Sequence, residues 1–428
     1  MMFRRAAIGA APTAPPPGSI LRRLGPGLIT GAADDDPSGI ATYSQVGAQF
    51  GYGLAWTMLF SLPFMIVIQE ISARIGCVTG RGIADNLRRH HSIWLVRTVV
   101  LLLLLANVIN LGADLGAMGA ALKLLLGGSG RLYTLAFGVV CILAEIFIRY
   151  ALYAGLLKWL TLSLFAYVAV VLSVHLPWSR ALLATIVPRL TLDSDHAMGL
   201  VAVLGTTISP YLFFWQSSLE VEDQLRRGAP PLRTTPAAAA SQFRRIRIDT
   251  VVGMGVSNLI AVFIIYATAA TLHAGGVRII ETASQAAEAL RPIAGVFTFA
   301  IFGAGIIGTG LLAVPVLAGS SAYALAESFS WREGLDRRLL QAKSFYATIA
   351  FSTLAGAALN FTALNPVRAL YWSAVVNGVL AAPIMAVMML IASDGRIMGS
   401  FTLPLTMRIG GWAATALMLA ASIAFLVL

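Results

Sequence analysis

Long apolar runs alternate with short polar intervals along most of this chain. A helix needs about 20 predominantly apolar residues to cross a bilayer. By that measure the sequence predicts eleven spanning segments, with approximate extents of 24–50, 52–76, 94–126, 132–149, 154–176, 197–222, 249–272, 293–326, 343–361, 366–392 and 405–428. The pattern predicts an all-α membrane protein with a single transmembrane domain over residues 21–428, preceded by a flexible tail over 1–20.

Composition supports this prediction, because 58% of the residues are apolar and only 11% are charged. A soluble domain carries roughly 25% charged residues. The net charge of +11 does not indicate a nucleic-acid partner, since the basic residues lie in short loops between apolar segments.

The basic residues also predict an orientation. A cytoplasmic N-terminus places roughly 23 of the 30 Lys and Arg residues on the inner side, as the positive-inside rule requires. With an odd number of segments the C-terminus then lies outside. The high alanine and arginine content fits a GC-rich bacterial genome, and hence a bacterial inner membrane. The oligomeric state leaves no signal in the sequence.

Helix-breaking residues interrupt the first and the sixth segments. The two interruptions are Gly31-Ala32-Ala33-Asp34-Asp35-Asp36-Pro37-Ser38-Gly39 and Gly205-Thr206-Thr207-Ile208-Ser209-Pro210-Tyr211. Proline removes a backbone donor and clashes with the preceding turn. The loop over 223–247, rich in Arg and Pro, divides the chain into two halves in which these segments take matching places. Broken helices at matching places indicate a transporter site near the midplane, although two ordinary proline kinks would give the same pattern.

Three consecutive aspartates accompany the first interruption. Each costs roughly 2.5–3.5 kcal/mol at the centre of a spanning helix, so such residues usually mark a pathway. Asp36 directly precedes Pro37 and is the predicted cation ligand. We assign Asp34 and Asp35 to an aqueous vestibule as pathway or coupling candidates. A bound cation, or protonation of one of the groups, would relieve the repulsion among the three carboxylates.

Several motifs carry a family resemblance. They are Gly25-Pro26-Gly27-Leu28-Ile29-Thr30-Gly31, Asp36-Pro37-Ser38-Gly39, Ile71-Ser72-Ala73-Arg74-Ile75-Gly76, Val78-Thr79-Gly80 and Asp114-Leu115-Gly116. These residues resemble the Nramp family of divalent-metal transporters, and the resemblance spans residues 22–392. It implies a LeuT-like fold with a 5+5 inverted repeat and broken helices 1 and 6. The repeats would cover 21–178 and 197–392, and 405–428 would add an extra helix.

The chain departs from the family at the residues that hold the metal. The family has Asp-Pro-Gly-Asn where this chain keeps Asp36 but has Gly39 in place of Asn. The family has Met-Pro-His where this chain has Ser209-Pro210-Tyr211, and Thr207 falls where the family offers a backbone carbonyl. The resemblance therefore implies a metal site at Asp36, Gly39, Thr207 and Ser209, beside Tyr211. Loss of the thioether favours hard cations such as Mg²⁺ or Mn²⁺. The pattern is similar to that of the Nramp-related magnesium transporters.

The residues that couple the family's transport to protons are also largely replaced. The matching sixth-helix positions hold Tyr211 and Gln216, which do not titrate near neutral pH. Asn107 replaces a third-helix Glu of the family, and Asp114 is kept. We expect proton coupling to be weak or absent, with Asp114 and Gln216 as the remaining coupling candidates.

Three further polar residues have two interpretations each. Glu220 and Glu222 close the sixth segment, where they either attract and release the ion or form a solvated helix end. Asn377 lies in the tenth segment, where it either approaches the substrate or makes an interhelical hydrogen bond. Glu145 is assigned no role.

Other functions have weaker support in the sequence. The aromatic run at Tyr211, Phe213, Phe214 and Trp215 could receive a small organic solute, such as an amino acid or amine, on the same fold. A sensor without transport is a third possibility. The sequence holds no Walker phosphate loop, nucleophile elbow or zinc-protease motif, so we predict neither an enzyme nor a cofactor.

Overall fold

The computed structural model describes residues 26–148, 160–189, 191, 193–362 and 365–428, and these residues form helices and no strand. The first half contains α1 (Pro26–Asp34), α2 (Pro37–Phe50), α3 (Trp56–Thr79), α4 (Ile83–His90), α5 (Ile93–Leu126), α6 (Gly130–Phe147), α7 (Phe165–Ser173) and α8 (Trp178–Ile186). The rest contains α9 (Ser194–Thr207), α10 (Pro210–Arg226), α11 (Ala239–Thr268), α12 (Ala283–Ala287), α13 (Arg291–Ala294), α14 (Thr298–Phe329), α15 (Lys343–Leu359), α16 (Pro366–Ser393), α17 (Gly395–Met398) and α18 (Leu405–Val427).

Eight helical runs in the described part of the chain are long and apolar enough to cross a membrane. Two other predicted segments correspond to the broken pair α1–α2 and to α15, which has 17 residues. The segment predicted over 154–176 falls partly outside the described residues, and α7 represents its end. The tail predicted over 1–20 lies wholly outside them. Leucines on the outer faces are widely exposed, such as Leu101 at 64% and Leu259 at 56%, as lipid contact requires. The protein is a multi-pass membrane protein.

Both predicted interruptions are confirmed, and each has a local cause. α1 ends at Asp34, and α2 begins at Pro37 with Asp36 as its N-cap. α9 ends at Thr207, and α10 begins at Pro210. Proline suits the first position of a helix because its missing N–H would have had no partner there. A sequence that places Pro at this point therefore stops one helix and starts another.

Glycines bring the broken helices into backbone contact with their neighbours. A Cβ placed at Gly31 of α1 would lie 2.4 Å from the carbonyl oxygen of Gly253 in α11. A Cβ at Gly205 of α9 would lie 2.4 Å from the backbone nitrogen of Gly378 in α16. Small residues at such contacts let helices in a bilayer approach closely. α11 and α16 thus hold the two interrupted helices in the centre of the bundle.

We expect Gly31→Ala to destabilise the protein, because its new methyl group meets backbone atoms that cannot move aside. Overpacking of this kind costs about 1–3 kcal/mol or more. Gly255→Ala is the matched control, since a Cβ there meets nothing within 4 Å. Thermal melting of the purified proteins checks this, with a lower melting temperature for Gly31→Ala only. Equal melting temperatures for the two variants would contradict the close packing of α1 on α11.

Candidate metal-ion site

The two helix breaks face each other across the centre of the bundle. The Tyr211 hydroxyl at the start of α10 donates to the Ala33 carbonyl near the end of α1, at 3.2 Å. A Cβ at Gly39 would lie 3.1 Å from both the Asp34 carbonyl oxygen and the Thr206 hydroxyl oxygen. The C-terminal ends of α1 and α9 therefore both lie at this point, and helix C-termini carry partial negative charge. The arrangement favours a cation.

Asp36 is buried at the break, with 2% of its surface exposed. Its Oδ1 accepts from the Gly39 amide at 2.6 Å and from the Ser38 hydroxyl at 2.8 Å, which is how Asp36 caps α2. Its Oδ2 accepts from Asn110 Nδ2 at 3.0 Å and from the Tyr211 hydroxyl at 3.4 Å. The hydrogen bond to Tyr211 is the longest of the four. A cation that binds at Oδ2 would therefore displace the weakest hydrogen bond of the carboxylate.

Asp34 and Asp35 are buried as well, with 1% and 3% of their surfaces exposed, so their assignment to an aqueous vestibule is wrong for this conformation. Both carboxylates accept from the Ser257 hydroxyl of α11, at 2.7 Å and 3.2 Å respectively. Oδ1 of Asp34 has no hydrogen-bond partner among the described residues.

A polar stripe on α5 adds two more groups to the site. Asn107, Asn110 and Asp114 are spaced at i, i+3 and i+7 and share one helix face. Asp114 is fully buried beside Asp36 and the backbone amide of Ser38, which places it at the break. Asn107 lies about one turn before Asn110 on α5, and its side-chain amide donates to the Ser321 hydroxyl at 2.9 Å. Sequence reasoning missed Asn110, although the spacing between its two neighbours could have found it.

Four buried aspartates thus meet around the break without a basic partner. They are Asp34, Asp35, Asp36 and Asp114. None of them takes part in the ion pairs formed by the described residues. Charges buried in a membrane are usually paired with an opposite charge. A bound cation would supply the counter-charge that the protein does not.

The predicted hydroxyl ligands lie at the end of α9. Thr207 donates to the Val203 carbonyl at 2.9 Å, and Ser209 donates to the Gly205 carbonyl at 2.7 Å. Their protons are therefore satisfied locally, while their oxygen lone pairs stay available. Gly39, predicted as a ligand, contributes an amide donor to Asp36. The neighbouring Thr206, which sequence reasoning missed, has its hydroxyl oxygen 3.1 Å from a Cβ placed at Gly39.

The remaining candidates, Asn377 and Gln216, are not among the hydrogen-bond partners of the Asp36 carboxylate. Asn377 is buried in α16, next to the glycine contact with α9. Gln216 accepts from the Thr30 hydroxyl at 2.5 Å and donates to Glu220 at 3.5 Å. Gln216 therefore connects α1 to α10 on one side of the site.

Glu220 continues this connection and is fully buried. It pairs with Arg245 of α11 at 2.5 Å. Asp249, one turn further along α11, accepts from the Gly27 amide at 2.7 Å and so caps α1. We call this side, with the start of α1, the end of α10 and the start of α11, the α1 end of the bundle. It is closed by these contacts.

Glu222 is also buried at the α1 end, so the solvated helix end is the wrong interpretation for both glutamates. It accepts from the Leu335 amide at 2.7 Å and from the Tyr323 hydroxyl. The loop acid Glu333 lies beside it, and burial among other acids raises the pKa of Glu333 far above its usual range. Glu145 is buried in α6, and neither carboxylate oxygen has a hydrogen-bond partner among the described residues.

Two cavities open at the opposite side, which we call the α2 end. One of 790 Å³ is lined by polar residues that include Lys123, Arg131 and Asn360. The other, of 310 Å³, is lined by residues that include Gln45 and Asp195. A cavity of 30 Å³ bordered by Ala41, Ala283 and Val367 lies between them, because each larger cavity shares lining residues with it. The α2 end is therefore more open than the α1 end.

The aromatic run does not line either of the two cavities at the α2 end. Phe213, Phe214 and Trp215 are buried in the core, with 1%, 0% and 0% of their surfaces exposed. Trp215 packs beside Tyr323 and against Gly319, where a Cβ would lie 2.4 Å from its ring. These three side chains serve packing, so Tyr211 is the member of the aromatic run that is left beside the break for the organic-solute alternative.

Facing breaks in the first and sixth spans, with acids between them, define a membrane transporter of the LeuT-like class. The fold is similar to that of a manganese transporter from Eremococcus coleocola, with a TM-score of 0.76 at 15% identity, covering 96% of this chain and 88% of that one. It is also similar to Mhp1, a nucleobase-cation-symport-1 family transporter, with a TM-score of 0.59 at 13% identity, covering 93% and 91%. At these identities the likeness establishes the fold.

The chain belongs to the Nramp family, because the family model described as natural resistance-associated macrophage protein-like matches residues 27–428. It is 27% identical over 407 residues to the divalent metal cation transporter MntH of Klebsiella pneumoniae (strain 342), covering 93% of this chain and 92% of that protein. It is 27% identical over 395 residues to MntH of Verminephrobacter eiseniae, covering 89% and 83%. The family resemblance and the fold class predicted from the sequence are confirmed.

Proposed function

We propose that this protein is a secondary transporter of divalent cations that carries Mg²⁺, Mn²⁺ or both through the site at Asp36. The observation that carries this proposal is the set of four buried aspartates around the break, which has no basic partner among the described residues. The curated relatives named above are divalent metal cation transporters, and the similar Eremococcus coleocola structure is a manganese transporter.

The choice of ion rests on the donor atoms. The groups around the break offer carboxylate, hydroxyl, amide and backbone carbonyl oxygens, from residues such as Asp36, Asn110 and Thr206. Such oxygens suit Mg²⁺ and Mn²⁺, whereas thioether and thiolate groups select softer metals. Mg²⁺ gives up its water reluctantly and typically keeps several water ligands. The oxygen atoms around Asp36 therefore need to replace only part of the water shell of such an ion.

Transport is proposed to follow alternating access. The α1 end is closed by the Glu220–Arg245 ion pair, and the α2 end holds the cavities. Opening of the α1 end would require α1 to separate from α10 and α11, which the contacts of Gln216 and Asp249 oppose. Rocking of the broken helices would then expose Asp36 to each side in turn.

Proton coupling is proposed to be weak or absent. Gln216 and Tyr211 stand at the positions where the family's sixth helix carries groups that titrate, and both are committed to hydrogen bonds. Asp114 is the buried acid through which residual coupling could run. We place the α1 end in the cytoplasm of a bacterial inner membrane, and we treat residues 21–428 as one transport domain of two repeats with an extra helix.

The test is cation uptake by the purified protein in proteoliposomes, with the membrane voltage clamped and no pH gradient. We expect saturable uptake of Mg²⁺ or Mn²⁺ under these conditions. If uptake collapses when a proton gradient is removed at fixed voltage, transport is coupled to protons and this part of the proposal is wrong. A folded protein that takes up neither ion would overturn the choice of substrate.

A further inference from the structure

The start of α11 presents two arginines on its lipid-facing side. Arg244 and Arg247 are exposed, and the same helix face continues as a stripe of exposed apolar residues. The stripe consists of Ile248, Val251, Val252, Val256 and Leu259, between 37% and 56% exposed. In a spanning helix such a stripe contacts acyl chains. The two arginines therefore lie where that stripe meets the headgroup layer.

The start of α18 repeats this pattern. Arg408 is exposed, and Ile409 and Trp412 follow on the outer face with 60% and 40% of their surfaces exposed. Tryptophan is enriched at the level of lipid headgroups. Two helices thus carry arginine at the same kind of boundary.

α3 lies between these two helices and brings the boundaries to the same end of the bundle. The Arg74 guanidinium in α3 lies 4.2 Å from the Phe243 ring of α11. A Cβ at Gly411 of α18 would lie 3.0 Å from Ile71 of α3, one turn before Arg74. The Phe243 ring also packs on Phe401, with 5.8 Å between centroids, just before α18 begins.

The three arginines are not neutralised by the protein. Acids at this end have other basic partners, as Glu70 pairs with Arg74 at 2.7 Å and Glu220 with Arg245 at 2.5 Å. Asp394 pairs with Arg396 at 2.6 Å. Arg244, Arg247 and Arg408 form no ion pair within the described part of the chain. Three cations without an acidic partner, bordered by apolar stripes, complement an anion that also has an apolar body.

We propose that the start of α11, the start of α18 and the intervening part of α3 form a binding site for an anionic phospholipid. Arg244, Arg247 and Arg408 bind its phosphate and headgroup, and the apolar stripes of α11 and α18 receive its acyl chains. Arginine forms strong, charge-assisted hydrogen bonds to phosphate oxygens. The inference is independent of which ion the protein transports.

Native mass spectrometry of the full-length protein tests the site with equal amounts of phosphatidylglycerol and phosphatidylcholine. We expect the wild type to retain phosphatidylglycerol preferentially. Each arginine contributes roughly fivefold to affinity for an anionic surface. The affinity of the triple variant Arg244→Gln/Arg247→Gln/Arg408→Gln for phosphatidylglycerol should therefore fall on the order of 100-fold, to near its affinity for phosphatidylcholine. Retention of phosphatidylglycerol at the wild-type level by this variant would overturn the proposal.

The matched control is Lys123→Gln/Arg131→Gln, which removes two exposed cations at the α2 end. We expect this control to keep the wild-type lipid preference. If it lost as much phosphatidylglycerol as the triple variant does, the loss would reflect net charge rather than a specific site. Inorganic phosphate should compete weakly, because it lacks the acyl chains. Displacement of the lipid by millimolar phosphate would overturn the lipid as the occupant. All replaced side chains are exposed, so melting temperatures should stay unchanged.

Discussion

Replacement of Asp36 by asparagine is expected to abolish cation uptake while leaving the fold intact. Asparagine caps a helix as well as aspartate does, so α2 should still begin at Pro37. The substitution removes the negative charge on the carboxylate that the break presents. Loss of an outer-shell partner typically costs 10–100-fold in metal affinity, so loss of the charged ligand itself should cost at least about 100-fold. Uptake into proteoliposomes measures this directly.

Ser38→Ala is the matched control for this prediction. It removes the hydroxyl's hydrogen bond of 2.8 Å to Asp36 Oδ1 and leaves the negative charge in place. A hydrogen bond to a charged group is worth about 1.5–3 kcal/mol, so Ser38→Ala should lose roughly 10- to 100-fold, which is less than Asp36→Asn loses. If Asp36→Asn has the melting temperature of the wild type and an uptake rate within a few-fold of it, Asp36 is not part of the ion pathway.

The sequence predicted the course of the backbone at the site better than its contacts. The breaks at Pro37 and Pro210 follow from local rules, because proline and a capping residue act within one turn of the chain. The long apolar runs predicted the spanning helices for the same reason. Most of their ends moved by a few residues, although α11 begins at Ala239 rather than at 249, since helix termini depend on loops and caps rather than on hydropathy.

The contacts that sequence reasoning missed all depend on tertiary packing. Asn110 reaches Asp36 because α5 crosses the break, and no local pattern shows which helix will cross there. Thr206 rather than Thr207 faces Gly39 because of the rotation of α9 at its last turn. Glu220 resembles a solvated helix end in the sequence, yet Arg245 on α11 buries it. Distance along the chain hides each of these pairs.

The Glu220–Arg245 pair should be the strongest single contact that holds the α1 end closed. Removal of one partner from a buried ion pair leaves the other charge without compensation and costs about 3–5 kcal/mol. We expect Glu220→Gln and Arg245→Gln each to lower the melting temperature. The double variant should lose less than the sum of the two, because neither charge is then stranded. Strict additivity would show that the two side chains do not interact.

The same pair should control access to the site from the α1 end. A cysteine introduced as Thr30→Cys, with Cys77 and Cys141 replaced by serine, would report opening through its rate of reaction with a water-soluble maleimide. Since 1.4 kcal/mol corresponds to a factor of ten in an equilibrium, Glu220→Gln should raise that rate at least tenfold. Asp336→Asn is the matched control, because both side chains of its pair with Arg226 at 2.9 Å are about half exposed, and such a pair is worth about 0–1 kcal/mol. If both variants label at the wild-type rate while Glu220→Gln lowers the melting temperature, the pair stabilises the fold without gating the pathway. Closure of the α1 end would then rest on the Asp249 cap of α1.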